Sequence, residues 1–186
     1  MANYRVAKRY AKAFFEVLPQ EKQKKAVQEM RDILTAFKTS RDFKNFLSSP
    51  IISDEKKQSI AKEVFQNFSP ETQKLVALLI KNGRAANLKE VATAVIERYR
   101  IINGIKRAHI SSAYPLSSEE LNAIVAKTQA TLGIAADKIE VVQKVDESLI
   151  GGFILRVDDT QFDASIKTRL SEIKQAFDTQ KIISKI

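Results

Sequence analysis

Apolar residues recur along the first hundred positions with the period of an α-helix. Val6, Tyr10, Ala13, Phe14 and Val17 stand at i, i+4, i+7, i+8 and i+11, one face of a helix that turns every 3.6 residues. Pro19 stops that helix. Val27, Met30, Ile33, Leu34 and Phe37 carry the period into a second, and Phe43, Phe46 and Leu47 into a short third that ends at Ser49-Pro50. Ser53 is an N-cap with Asp54 and Glu55 on the positive end of the dipole; its helix carries Ile60, Ala61, Val64, Phe65 and Phe68. Ser69-Pro70-Glu71 opens a fifth helix with a cap, a proline at the first helical position and an acid. It runs to Asn82-Gly83, where Gly83 suits a left-handed C-cap. Leu88, Val91, Val95, Tyr99 and Ile102 form a sixth, which stops at Asn103-Gly104. Six helices with short connections predict a compact bundle over residues 1–104.

Beyond Gly104 the period changes. Residues 105–113 read as a polar strand containing His109 and Ser111. Ser117 and Glu120 form a capping box for a helix with Leu121, Ile124, Val125, Thr128 and Leu132 on one face, closed by Gly133. Ile139, Val141, Gln143 and Val145 alternate as strand residues do, and so do Phe153, Leu155 and Val157. Asp146–Gly152 between them reads as a hairpin-like connection. Ile166, Leu170, Ile173 and Phe177 mark a final helix. The predicted fold is mainly α: a six-helix N-terminal bundle, then a small α+β (α/β-type) domain over 105–186.

Two helices are more apolar than a bundle requires. In the first, Val6, Tyr10, Phe14 and Val17 make a core face, yet Ala7, Ala11, Phe15 and Leu18 make a second strip. The fifth contains Leu75–Ile80, six apolar residues in succession, which cover a helix on every side. Two readings are open: the fifth helix lies at the centre of the bundle, or one side faces the bundle and the other forms a groove for a partner's amphipathic helix. In such a groove each newly buried side chain contributes about 1.5–3 kcal/mol.

Charge adds a second division. Residues 1–104 hold 20 Lys/Arg and 11 Asp/Glu, whereas residues 105–186 hold 11 of each, so the net +9 of the chain belongs to its first part. The basic residues are scattered over several helices, densest at Lys22, Lys24 and Lys25 and then Lys56-Lys57. A solvated surface, nucleic-acid binding, an acidic protein partner, and a peripheral membrane contact through Arg5, Lys8, Arg9 and Lys12 are the readings this allows. The basic start also fits an organelle transit peptide, against which the first serine is Ser40. The longest uninterrupted apolar run, Leu75–Ile80, is far short of the roughly 20 residues a spanning helix needs.

Catalytic chemistry is not legible. The chain has no Cys and one His, which excludes disulfides, thiolate nucleophiles and Cys-ligated metals. His109 stands alone on a polar strand. Gly151-Gly152 precedes a strand rather than a helix and does not match a phosphate-binding loop; it reads as a turn needing positive φ or close packing. Asp158, Asp159 and Asp163 read as turn and cap residues. No catalytic residue, metal or cofactor is expected.

Several motifs nevertheless fall in an order that belongs to one family. They are Arg9-Tyr10-Ala11-Lys12-Ala13-Phe14; Pro50-Ile51 before a Lys-rich helix start; Leu75…Leu79-x-x-Asn82-Gly83-Arg84…Leu88…Tyr99; Ser112-Ala113-Tyr114-Pro115-Leu116-Ser117-x-x-Glu120; and Val145-Asp146-x-x-Leu149-Ile150-Gly151-Gly152-Phe153-x-Leu155-Arg156, followed by Asp163-x-Ser165-Ile166. Together they span essentially the whole chain and resemble the delta subunit of the bacterial F-type ATP synthase, a relative of the mitochondrial oligomycin-sensitivity conferring protein.

The resemblance implies a non-catalytic stator subunit that joins the catalytic head to the peripheral stalk and resists the torque of rotation. It implies that residues 1–104 bind the head, holding the N-terminal helix of an alpha subunit between the first and fifth helices. Tyr10, Ala13, Phe14, Val17, Leu75, Leu78, Leu79 and Asn82 are the candidate groove residues. It implies that residues 105–186 meet the b subunits, through the final helix and the strands around Gly151. No cofactor and no nucleic-acid partner is implied. The expected place is the cytoplasmic face of a bacterial cell membrane, reached only through the complex. The alternative from a different class is a basic helical nucleic-acid-binding protein.

Overall fold

In the computed structural model, which describes residues 2–133 and 135–183, every helical period of the first hundred positions becomes a helix. These are α1 (Ala2–Val17), α2 (Gln20–Thr39), α3 (Arg41–Ser48), α4 (Asp54–Val64), α5 (Pro70–Lys81) and α6 (Leu88–Asn103). Local chemistry sets their ends. The Ser40 and Ser53 hydroxyls accept from the amides of Phe43 and Lys56 at 3.1 and 3.4 Å and cap α3 and α4. Gly83, at φ +64°, follows the end of α5, where a left-handed residue lets the chain turn away. The chain forms two compact units, one up to Ile102 and one from Asn103 onward.

In the first unit α6 is the helix enclosed most nearly all round. Leu88, Val91, Ala92, Ala94, Val95 and Ile96 are buried, an arc of roughly 200° at 3.6 residues per turn. Of the two readings of α5, all-round burial is the one that fails: Ala77 and Leu78 are exposed within its apolar run. Edge-on aromatic pairs fill the space among α2, α3 and the end of α4, with ring centroids 5.0 Å apart for Phe37–Phe43 and 5.2 Å for Phe65–Phe68. Val64, expected on the apolar face of α4, is instead exposed.

The start of α5 is held from outside. Ser69 does not cap with its own side chain, as its sequence position suggests. Its hydroxyl donates to Glu29 Oε2 and its amide to Glu29 Oε1, both at 2.7 Å. Glu29, buried on α2, thus supplies with both its carboxyl oxygens the acceptors for the N-terminus of α5. Glu29→Ala should lower the unfolding free energy of the helical unit by about 2–3 kcal/mol, since a buried amide and hydroxyl lose their partner. Urea unfolding followed by far-ultraviolet circular dichroism measures it.

The second unit holds β1 (Lys106–Ser112), α7 (Ser118–Leu132), β2 (Ile139–Val145), β3 (Phe153–Val157), β4 (Thr160–Asp163) and α8 (Ile166–Ile183). The capping box of α7 is complete: the Glu120 amide donates to Ser117 Oγ at 3.3 Å and the Ser117 amide to Glu120 Oε2 at 2.8 Å. Gly133, at φ +64°, closes the same helix. The four strands lie in the order β2-β1-β3-β4. β1 and β2 are parallel, with α7 as their crossover, while β3 runs antiparallel to β1 and to β4. Ala108, Ile110, Leu155 and Val157 pack with Ile124 of α7 to make the core.

Two expectations for this unit are corrected. Asp146–Gly152 is not a hairpin, because β1 lies between β2 and β3. The segment crosses the end of β1, tied to it by the Asp146 amide on the Ser112 carbonyl at 2.8 Å. The true hairpin joins β3 to β4 through Asp158 and Asp159, with Asp158 at φ +50°; β4 is too short and polar to show in the pattern. Ile166, Leu170 and Ile173 line up on α8 as expected, yet each stays about half-exposed. Leu132 and Phe177, expected on the apolar faces of α7 and α8, have side chains outside the described residues.

The glycine pair has a packing reason. Gly152 sits at φ +75°, and a Cβ there would overlap the Ala164 carbonyl oxygen. Asp163 holds the start of α8 beside it: its Oδ1 accepts from the Ser165 amide and its Oδ2 from the Thr168 hydroxyl, both at 2.8 Å. The Ser165 amide and hydroxyl, with Thr168, keep the Asp163 carboxyl below its ordinary pKa. His109 is exposed on β1, opposite Arg156 and Val142, a surface strand position.

Candidate partner-binding groove

A groove of 360 Å³ opens between α1 and α5. Its α1 wall is Tyr10, Ala13, Phe14, Val17 and Leu18, continued by Pro19; its α5 wall is Glu71, Lys74, Leu75 and Leu78. Each wall repeats i, i+3, i+4, i+7, the spacing that puts side chains on one side of a helix. The floor is shared with the core, for Tyr10, Phe14 and Leu75 are buried. The lips are not: Val17 is 81% exposed and Leu78 47%.

The second apolar strip of α1 is the more deeply buried, and the expected core face only partly serves the core. Ala7, Ala11, Phe15 and Leu18 are the strip buried in the bundle. Of the predicted core face, Tyr10 and Phe14 stand on the boundary, Val6 is only partly buried and Val17 reaches solvent.

Six of the eight candidate residues line this groove: Tyr10, Ala13, Phe14, Val17, Leu75 and Leu78. Leu79 does not. It is 1% exposed and packs in the bundle core, because one residue along a helix is a turn of about 100°. Asn82 stands at one end, where its Nδ2 donates to the Tyr10 hydroxyl at 3.1 Å. Arg84 Nη1 donates to the same oxygen at 3.0 Å, with its guanidinium 5.7 Å from the ring centroid. These contacts join the middle of α1 to the end of α5, while Lys22, just beyond α1, reaches Glu71 at the start of α5, so the two helices run antiparallel.

Leu18, Pro19, Glu71 and Lys74 are not among the candidate groove residues the sequence offered, yet they line it. Glu71 and Lys74 precede Leu75 and Leu78 by one helical turn, a signal that was available. Lys22 Nζ donates to Glu71 Oε1 at 2.7 Å. That hydrogen bond holds the Glu71 carboxyl below its ordinary pKa and the Lys22 ammonium above its own, so both are charged at neutral pH.

An apolar trough with a charged rim can bind but has no bond-making chemistry. Among the described residues no group of His, Cys, Asp and Glu is placed to hold a metal ion. No helix among them is long and apolar enough to cross a membrane.

Comparison with known proteins gives one consistent result. The family model described as ATP synthase delta (OSCP) subunit matches residues 6–177. The ATP synthase subunit delta of Christiangramia forsetii is 34% identical over 189 residues, covering all of both chains. That of Cytophaga hutchinsonii is 31% identical, covering 98% of this chain and 99% of its own. A chain in the cryo-EM structure of the Toxoplasma gondii mitochondrial ATP synthase hexamer shares the fold, with a TM-score of 0.62 at 24% identity over 92% of this chain and 96% of that one. Nothing among these matches supports the nucleic-acid alternative. With most of its length matched by the family model and full-length relatives above 30% identity, this chain belongs to the ATP synthase delta (OSCP) family of non-catalytic stator subunits.

Proposed function

We propose that the α1–α5 groove receives the N-terminal helix of an alpha subunit of the catalytic head, and that the second unit meets the b subunits of the peripheral stalk. As a stator subunit of the F-type ATP synthase, the chain links the head to the membrane sector and opposes the torque of rotation. That task needs strong interfaces and no reacting groups. The observation that carries the reading is the groove itself: a buried floor of Tyr10, Phe14 and Leu75 between the exposed lips Val17 and Leu78. Its shape suits the apolar stripe of one amphipathic helix. Three or four apolar anchors at about 1.5–3 kcal/mol each support tight binding after the cost of association. For the stalk contact, support comes from α8, whose Ile166, Leu170 and Ile173 present a half-exposed apolar stripe. The chain's place is the cytoplasmic face of a bacterial membrane, held there by the complex.

The test is calorimetric titration of the full chain with a synthetic peptide of the cognate alpha subunit's N-terminal segment. Binding at micromolar peptide or tighter is expected. Ala13→Trp, which puts an indole into the groove from an exposed position, should abolish it. Equal binding by wild type and Ala13→Trp would place the peptide elsewhere.

A further inference from the structure

The rim of the groove carries more cations than the chain neutralises. The one acid among the described residues that lines it, Glu71, has its Oε1 engaged by Lys22 at 2.7 Å, and on α1 Glu16 is engaged by Lys12 at 3.8 Å. Lys74 also lines it, and further cations flank it on α1 and α5. Arg9 stands one turn before Ala13 on the ridge that continues to Val17. Lys74 and Lys81 bracket Leu78, four residues before it and three after. Arg84 closes one end, its Nη1 donating to the Tyr10 hydroxyl and to no carboxylate among the described residues. Lys74 lies in the field of Glu71, but Lys22 holds that carboxylate. Among the described residues, Arg9, Lys74, Lys81 and Arg84 form no ion pair.

We propose that the segment this groove accepts is an amphipathic helix whose apolar stripe is bordered by acidic side chains, which pair with Arg9, Lys74, Lys81 and Arg84. The proposal rests on the groove being a helix-binding site and adds the chemistry of its partner. A phosphate backbone or a lipid headgroup would answer the cations and leave the apolar floor in water. An acid-bordered helix answers both, and a base-bordered helix is repelled. Part of the net +9 of the first 104 residues then has a role: selecting the partner that the apolar floor alone would not distinguish.

The experiment compares wild type, Lys74→Glu/Lys81→Glu and Ala13→Trp, each as the full chain, binding the same alpha-subunit peptide at about 0.05 M and about 0.5 M NaCl. Each exposed ion pair changes affinity by a factor of roughly 1.5 to 5. The double reversal should therefore weaken binding roughly tenfold at low salt, with the gap closing at high salt. A peptide whose acids are replaced by their amides should bind wild type several-fold more weakly at low salt. If the double reversal binds as wild type does at both salts while Ala13→Trp abolishes binding, the groove stands and the acid-bordered partner is wrong. If the peptide fails to bind wild type, or binds Ala13→Trp unchanged, the groove reading falls and this proposal with it. Lys74 and Lys81 are exposed, and circular dichroism checks that the reversed variant is folded.

Discussion

Leu79→Asp should unfold the helical unit, whereas Leu78→Asp, one position earlier, should leave it folded and deprive it of its partner. Leu79 is 1% exposed. Truncating such a leucine to alanine costs about 2.7–5 kcal/mol, and an unpaired carboxylate at the same place adds several more through desolvation. The sum rivals the whole stability of a domain, about 5–15 kcal/mol. Leu78 keeps its outer surface in solvent on the lip of the groove, so an aspartate there remains hydrated and costs the fold about 1 kcal/mol or less. In the complex it would face an apolar stripe. Losing an anchor and desolvating a charge together should weaken peptide binding by roughly a hundredfold or more. Circular dichroism reads the fold and calorimetry the binding. A folded Leu79→Asp protein, or an unfolded Leu78→Asp one, would reverse the assignment of the two faces of α5.

The second large effect is expected at Gly152. An L-residue in the left-handed region costs roughly 1–2 kcal/mol, and at φ +75° Gly152 lies there. The added Cβ also overlaps backbone, the Ala164 carbonyl oxygen, which has no rotamer to move away. Relief requires the chain around Ala164 to shift. That strains the Ala164 amide on the Phe153 carbonyl at 2.9 Å and the Ile166 amide on the Gly151 carbonyl at 3.0 Å. Gly152→Ala should therefore destabilise the second unit by about 3–5 kcal/mol. Gly151→Ala should cost less, because its Cβ meets only the flexible end of the Ile166 side chain. Hydrogen exchange resolved by segment separates the outcomes: amides after Asn103 should lose protection in Gly152→Ala while those of the bundle keep theirs. Equal protection in the two variants would show that the close approach to Ala164 is not what the pair of glycines serves.

Where prediction from residues succeeded, the governing physics is short in range. Ser53 caps the helix that follows it, Gly83 and Gly133 end theirs, and Ser117 with Glu120 closes a box three residues long. Each depends on neighbours within a turn. Where it failed, the answer lay with residues distant along the chain. Ser69 looks like an ordinary cap until Glu29, 40 residues earlier, takes its hydroxyl. Val141 and Leu155 alternate correctly, but alternation carries no record of which strand lies alongside, so β1 came between β2 and β3 unannounced.

The groove shows the same division. From its residues alone, the chain determined that α1 and α5 hold more apolar surface than one core can use, that catalytic groups are missing, and which family motifs stand in order. It left open which strip of α1 the bundle takes, because Val6–Val17 and Ala7–Leu18 have equivalent helical spacing and each suits a core. Tertiary structure decided it. Neighbouring helices enclose Ala7, Ala11, Phe15 and Leu18 on one side of α1 and Leu79 on one side of α5, leaving Val17 and Leu78 in solvent. Burial is a property of what surrounds a side chain, and a helix of known face can still be turned either way until its neighbours are in place.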